Sequence, residues 1–552
     1  MRPKAAANLA GQMERRALAT FVAPVESQST VQRATVERER GFGLLLVSVL
    51  TWVAMAVHGY HPYAEDGGLY MAGVKRLLDP ALYPQGTAFV LEPMRHSLFA
   101  PLVAGIVKLT GLGLPWVLLA LDLASIWATL FAVWMLAARC WSRREERAGV
   151  VVLLTCWLTL PVAGTALFLM DPYVTARSLS TPCTLLALAG VLDMSNQDTS
   201  GNQRRRGLCL WFGSIAIAAL VHPLMAVYGL WATLTLVCLR LQRRGARFWG
   251  TAALSAAALA IAAALQYAAK PEDPDYVHVA LTRTYWFPGT WAWYEWVGLA
   301  APVVILAAFA RASSVGSAGR ALSQGDTARS ALAQMALSIG VTATAIALLF
   351  ARAGAPTHVV ARLQPLRAFQ IVYLAMILFL GSTMGRVVLR RSAWRWAAAI
   401  VLLGGIMARA GFAAFPNSNH LELPGASARN PWVQSFLWIR ENTPHDALFA
   451  LDSDYINARG EDAQSFRAIA ERSALPDYSK DGGETSIAPN LTAAWSIGQA
   501  AQERLSSPTE TDAQRIAALS PLGVSWIVLE ASAATSLNCP YASSAVRVCR
   551  LP

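Results

Sequence analysis

About eleven apolar runs, each near the length that crosses a hydrocarbon core, follow one another through residues 41–410, and the loops between them alternate between arginine-rich and arginine-poor. The runs are residues 41–58, 115–136, 148–168, 182–192, 208–221, 224–239, 249–268, 293–310, 331–350, 368–384 and 394–407. Lipid offers the backbone no hydrogen-bonding partner, so each run has to satisfy its own amides and carbonyls, and the expected fold class is a polytopic α-helical membrane protein. Composition agrees. With 55% hydrophobic residues, 14% charged residues and a mean hydropathy of +0.40, no water-soluble core would hold the apolar surplus. Ala54-Met55-Ala56 in the first run imitates a signal-peptidase site, but a forty-residue stretch rich in Arg and Glu precedes that run, too long for a routine n-region, and an uncleaved span is expected.

The net charge of +12 does not form one basic face, because the arginines fall between apolar runs; no nucleic-acid partner is expected, and membrane lipids are. Five clusters carry the topology: Arg139 to Arg147, Arg204 to Arg206, Arg240 to Arg247, Arg311 with Arg320, and Arg386 to Arg391. All five reach the cytoplasmic side together if residues 96–111 lie along or dip into the interface rather than cross. Residues 1–40 are then a cytoplasmic tail, residues 41–410 a transmembrane domain with a large first external loop at 59–114, and residues 411–552 a soluble extracytoplasmic segment. That segment shows a helix-like stretch through Trp432 and Trp438 and strand patterns at 447–451, 524–529 and 545–551, which predict a small α/β domain. Its Asp452, Asp454, Asp477 and Asp481 are scattered in loop-like sequence and read as solvated. Of seven cysteines, five sit in or beside apolar runs as small buried hydrophobes. Cys539 and Cys549 stand near the C-terminus, where a disulfide and two free thiols are both open.

Loops on the side away from the arginine clusters hold the unusual residues. Glu65 and Asp66, followed by Gly67 and Gly68, put two carboxylates where a general base or a Mg²⁺ or Mn²⁺ ligand would work, or else cap a helix whose dipole they oppose. Asp171 and Arg177 lie close to the bilayer, where charges are costly unless paired or facing a wet cavity; they form a functional site or a structural ion pair. His222-Pro223 interrupts an apolar run too long for one span, so the chain turns there, with His222 as a cap or as a site residue. Arg283, Tyr285, Trp286 and Trp291 suit a sugar- or headgroup-binding loop and equally an interfacial aromatic belt. His358, Arg362 and Arg367 run against the positive-inside trend; guanidinium groups there match a phosphate with paired hydrogen bonds, or snorkel to headgroups.

A cytoplasmic tail, a first span, a large external loop opening with an acidic pair, many further spans and a terminal soluble domain together resemble the GT-C superfamily of integral-membrane glycosyltransferases. The phrases Glu65-Asp66-Gly67-Gly68-Leu69-Tyr70, Asp171-Pro172-Tyr173-Val174-Thr175-Ala176-Arg177-Ser178 and Gln364-Pro365-Leu366-Arg367-Ala368-Phe369-Gln370 also look like those of bacterial membrane proteins related to it. The resemblance implies a polyprenyl-phosphate-linked sugar as donor, with Asp66 or Glu65 as general base or metal ligand, Asp171 as a second acid, and Arg362 or Arg367 on the lipid phosphate. Arg177, His222, His358 and Tyr285 complete the expected substrate-binding set. No WWDYG-type signature is present, which argues against transfer to asparagine. The rival expectation is a non-catalytic protein that binds or moves a lipid-linked glycan.

Overall fold

The computed structural model describes residues 39, 41–195, 200–315, 323–458 and 460–552. The chain divides into two compact units, residues 1–50 and 51–552. The expected cytoplasmic tail up to residue 38 and Arg320 lie outside the described residues. What is described of the first unit is the opening of helix α1 (Gly41–His58), whose remainder begins the second.

In the second unit three helices occupy the first loop: α2 (Glu65–Leu78), α3 (Thr87–Leu91) and α4 (Phe99–Thr110). At 1.5 Å per residue the twelve residues of α4 reach about 18 Å, short of a ~30 Å hydrocarbon core. It buries Phe99, Ala100, Val103 and Ala104 and exposes Leu98, Leu102 and Leu109 beside and along it, as a helix lying against lipid would. Then come α5 (Leu114–Cys140) and α6 (Arg144–Cys156). Here the structure corrects the sequence reading. The run at 148–168 is not one helix, because α6 stops at Cys156 and the chain folds into a short hairpin, β1 (Pro161–Val162) against β2 (Leu167–Phe168). Pro161 has no amide proton to continue the ladder, and the left-handed backbone of Gly164 and Ala166 makes the turn. Leu158, Val162, Leu167 and Leu169 are buried in protein, which is where irregular backbone is tolerated at membrane depth.

The chain continues through α7 (Ala176–Met194), α8 (Gly201–Val221), α9 (Pro223–Leu239), α10 (Arg244–Ala268), α11 (Pro274–Leu281), α12 (Trp293–Val315), α13 (Gln324–Phe350), α14 (Val359–Arg362), α15 (Phe369–Thr383) and α16 (Ala393–Ala414). Among the described residues seven helical segments are long and apolar enough to cross a membrane: α1, α5, α10, α13, α16, residues 293–312 of α12, and residues 359–389, which contain α15. The helices α7, α8 and α9 carry three more of the expected runs in 19, 21 and 17 residues.

Side-chain contacts tie the arginine-rich helix ends to one another. Arg139 at the end of α5 pairs with Asp193 at the end of α7, donating from Nε at 2.7 Å. Arg240, after α9, donates to Thr327 of α13 at 2.8 Å, Arg329 of α13 reaches the carbonyl of Cys140 at 3.0 Å, and Arg391 before α16 donates to Glu145 of α6 at 2.9 Å. Six helix ends, those of α5, α6, α7, α9, α13 and α16, are therefore tied together, and they include three of the five arginine clusters: Arg139 to Arg147, Arg240 to Arg247 and Arg386 to Arg391.

After α16 come α17 (Pro431–Asn442), β3 (Leu448–Ala450), α18 (Phe466–Ala470), β4 (Ser473–Ala474), α19 (Lys480–Ile487), α20 (Thr492–Gln502), α21 (Asp512–Leu519), β5 (Trp526–Glu530), β6 (Tyr541–Ala542) and β7 (Val546–Arg550). The sheet order is β4-β3-β5-β7-β6, parallel from β4 to β5 and antiparallel beyond. Alternate residues fill two cores: Phe449, Trp526, Val528 and Val548 pack with Trp432 and Phe436, while Leu448, Ile527, Leu529 and Cys549 pack with Leu505 and Leu519. The three strands expected from alternation are β3, β5 and β7. Cys539 and Cys549 form a disulfide. The reading of all four aspartates as solvated fails at Asp481, which is fully buried and receives Arg467 on both oxygens at 2.7 and 2.8 Å.

Candidate functional site

The two glycines after the acidic pair explain how the site can form. A Cβ on Gly68 would stand 2.1 Å from Cβ of Ser465 and 2.5 Å from the Tyr63 carbonyl, and one on Gly67 would meet Tyr173 at 3.0 Å. Only hydrogen at these positions lets the first turn of α2 approach both the loop before α7 and the C-terminal domain. Glu65 and Asp66 do open α2, so the helix-start reading holds, but they do more than oppose its dipole.

Asp66 is a hub. Its Oδ2 accepts from Nη1 and Nη2 of Arg177, both at 3.1 Å, and its Oδ1 accepts from Nζ of Lys480 at 3.2 Å. Lys480 also pairs with Glu65. From the other side, Nη2 of Arg177 donates to Oδ2 of Asp171 at 2.8 Å, and Thr175 donates to the same oxygen at 3.4 Å. Arg177 sits in the first turn of α7, where the helix dipole disfavours a cation, and two carboxylates offset that cost. A capping box between Thr175 and Ser178 fixes this turn.

The two acids share Arg177 yet shift in opposite directions. Burial works against the Asp66 charge, but Lys480, Arg177 and Arg367 outweigh it and hold the carboxyl well below the usual carboxylate range. Asp171 is deeper, with 3% of its side chain exposed against 31% for Asp66. Its burial outweighs Arg177, and the nearby Asp66 charge adds to the rise. Asp66 is thus a persistent anion with an open edge, and Asp171 a deep support.

Lys480 is a residue that sequence reasoning missed. It lies 414 positions from Asp66 in the soluble domain, at the first turn of α19. Asp477 accepts from the Lys480 amide at 2.6 Å and caps that turn. The helix is docked on the loop after α10: Arg283 donates to the carbonyls of Tyr478 and Ser479 at 2.7 and 2.8 Å, and the Tyr276 hydroxyl to that of Ser486 at 2.7 Å. One turn after Lys480, burial and the charges of Asp66, Asp481 and Glu92 push the Glu484 carboxyl up to about 8. A lone Asp-x-x-Lys in loop-like sequence offers no signal for this placement.

Arg367 acts electrostatically on Asp66 and, among the described residues, has no carboxylate partner; its Nε is buried without an acceptor. Tyr285 shares with it the wall of a small void of about 10 Å³. The residue opening its turn, Gln364, is held in the left-handed region at φ 51°, a strained setting of the kind found where geometry serves a site. His222 lies between α8 and α9 within reach of the Arg177 and Arg367 charges; burial first, then those cations, keep its imidazole neutral.

Arg362 and His358 belong to a different group. Glu272 accepts from Arg362 at 3.0 Å, while its other oxygen meets His358 Nδ1 at 2.8 Å. The Arg362 guanidinium also lies 5.0 Å from the centre of the Tyr276 ring. Arg362 is already neutralised, so of the two arginines expected at a phosphate only Arg367 is free to meet one. A second buried acid escaped notice: Asp122 in α5 is 2% exposed with Oδ1 unpartnered.

The expected Mg²⁺ or Mn²⁺ at Glu65 and Asp66 does not fit these residues. Both carboxylates already share the Lys480 ammonium, Asp66 also holds Arg177, and no group of three His, Cys, Asp or Glu among the described residues could hold a metal. A separate cavity of about 330 Å³, lined by Tyr60, Tyr63, Lys75, Glu422 and Arg429, touches α2 at Lys75. Nine residues at about 100° each put Lys75 on the opposite face from Asp66.

No family model matches the chain, and no curated protein does. Among solved structures it is similar to the oligosaccharyltransferase AglB of Archaeoglobus fulgidus in the apo form, at TM-score 0.45 and 12% identity, covering 88% of this chain and 69% of that one. The same archaeal protein in complex with an inhibitory peptide and a dolichol-phosphate gives TM-score 0.45 and 12% identity over 89% and 69% of the two chains. ArnT of Cupriavidus metallidurans gives TM-score 0.36 and 14% identity over 93% and 98%.

Proposed function

We propose that this chain is a GT-C-like glycosyltransferase that moves a sugar from a polyprenyl-phosphate donor to a hydroxyl on a lipid, glycan or protein acceptor, at the outer face of a bacterial inner membrane. One observation carries the reading: the partly open Asp66 carboxylate lies within the field of Arg367, a guanidinium with no carboxylate of its own among the described residues. Displacement at a sugar carbon next to a phosphate has two needs, an acceptor for the incoming hydroxyl proton and a cation for the departing phosphate. Asp66 supplies the first and Arg367 the second. Arg177, itself held by Asp171, sets the orientation of Asp66, Tyr285 shares a void with Arg367, neutral His222 lies within the field of both arginines, and direct attack inverts the sugar carbon.

The arginine-rich ends gathered opposite the site support a cytoplasmic placement for those ends, and the Cys539–Cys549 disulfide supports an oxidising compartment for the C-terminal domain. A non-catalytic role in binding a lipid-linked glycan is favoured by a different fact: the ion pair with Lys480 lowers the proton affinity of Asp66 and so weakens it as a base. Asp66→Asn separates the two. Purified protein in liposomes with a panel of radiolabelled polyprenyl-phosphate sugars should transfer label to membrane acceptors, and the variant should lose at least about 100-fold of that rate. Equal retention of the labelled donor by both proteins, with no transfer by either, would establish the carrier.

A further inference from the structure

Lys480 reaches the acidic pair from the soluble domain, and its position is not an accident of a mobile side chain. Its helix is capped by Asp477, anchored through two backbone carbonyls by Arg283 and through a third by Tyr276, and braced by the buried Asp481–Arg467 pair. A Cβ on Gly482 would meet Arg283 Nη2 at 2.9 Å and Trp495 Nε1 at 3.1 Å, so the helix has little freedom to slide. The ammonium itself is 18% exposed at the side-chain level and bridges Glu65 and Asp66. One positive centre between two carboxylates beside an open edge is the position a divalent cation would take.

We infer that Lys480 is a built-in replacement for a divalent metal, a cation lent by the C-terminal domain that holds the Glu65–Asp66 pair and then accompanies the charge that leaves with the phosphate. The transfer step rests on the glycosyltransferase reading; the occupancy of the cation position does not. In that step the acceptor oxygen forms a bond to the sugar carbon, the bond from that carbon to the phosphate oxygen breaks, and its electron pair stays on the phosphate. The acceptor proton goes to Asp66. Asp66 becomes neutral as the phosphate gains one negative charge, so Lys480 keeps Glu65 but loses one of its two anions at the moment another forms. Charge is conserved without any added ion.

Direct metal binding tests this apart from activity. Purified full-length protein in detergent is titrated with Mn²⁺, free Mn²⁺ is read by electron paramagnetic resonance, and the thermal midpoint is followed at millimolar Mn²⁺. Wild type should bind no more Mn²⁺ than Asp66→Asn and show no shift in midpoint. Lys480→Ala, with the two carboxylates released, should gain one Mn²⁺ site that disappears again in Lys480→Ala/Asp66→Asn. A stoichiometric Mn²⁺ site in wild type that is lost in Asp66→Asn would overturn the inference, and so would a Lys480→Ala protein that gains none. If Lys480→Ala fails to fold, Lys480→Gln keeps the volume and takes its place. Where transfer is measurable, the wild-type rate should survive EDTA, Lys480→Arg should retain it in part, and Lys480→Gln should lose about 100-fold; absence of transfer by wild type would sink the glycosyltransferase reading and leave the metal result standing.

Discussion

Replacing Arg177 by alanine isolates the energetics of the site's deepest contact. Asp171 is 3% exposed and, among the described residues, Arg177 is its cationic partner, while Asp66 keeps Lys480 and an open edge. The loss at Asp66 should therefore resemble that of an exposed pair, ~0–1 kcal/mol. Stranding the buried Asp171 charge should dominate, at about 3–5 kcal/mol. Equilibrium unfolding by SDS in mixed micelles, followed by tryptophan fluorescence, reads this directly. Adding Asp171→Asn to Arg177→Ala should restore about 2–3 kcal/mol, because the stranded charge is gone. The pH dependence has a definite sign. Burial already raises the Asp171 carboxyl, and a group that binds its proton more tightly when folded costs stability as pH rises above the ordinary carboxylate value. The deficit of Arg177→Ala should accordingly be largest near neutrality and shrink as pH falls toward ~4. Asp66 runs the other way, its depressed carboxyl contributing stability above that range and losing it below. A loss under about 1 kcal/mol, or single and double variants that simply add, would refute the claim that Arg177 clamps Asp171.

Gly68→Ala places a methyl 2.1 Å from the Ser465 side chain, so destabilisation of about 1–3 kcal/mol is expected in the same assay, partly relieved by Ser465→Gly; a neutral Gly68→Ala would show that α2 can stand farther from the domain. The two candidate phosphate arginines should separate cleanly. Arg367→Ala should raise the KM for a polyprenyl-phosphate sugar at least about tenfold, whereas Arg362→Ala, which breaks a pair with Glu272, should lower the thermal midpoint with little change in KM.

Most of the architecture was legible because lipid imposes a simple rule: apolar length and arginine placement mark helices and their ends. The rule failed at 148–168, where hydrophobicity persists but Pro161 and Gly164 bend the backbone into a buried hairpin, since burial in protein and burial in lipid select the same residues. Half of the site could be read for a related reason. Glu65, Asp66, Asp171, Arg177 and Arg367 are charges next to apolar runs, where their cost demands an explanation. Lys480 carries no such mark, because a lysine in a soluble domain is ordinary wherever the fold does not say otherwise. Arg362 and Arg367 look alike in sequence and were told apart only by Glu272, which the chain brings back from about ninety residues earlier.

The 414-residue interval between Asp66 and Lys480 also has a temporal meaning. At roughly 5–20 residues per second, about 20–80 s of translation separate the acidic pair from the lysine that neutralises it. During that interval the first loop has emerged with its carboxylates unmatched and with no Ser465 to pack against Gly68. A chain halted within α16 carries Glu65, Asp66, Asp171, Arg177 and Arg367 but lacks Lys480, so its site is incomplete. Completion of the site therefore waits on synthesis of Ser465 and Lys480.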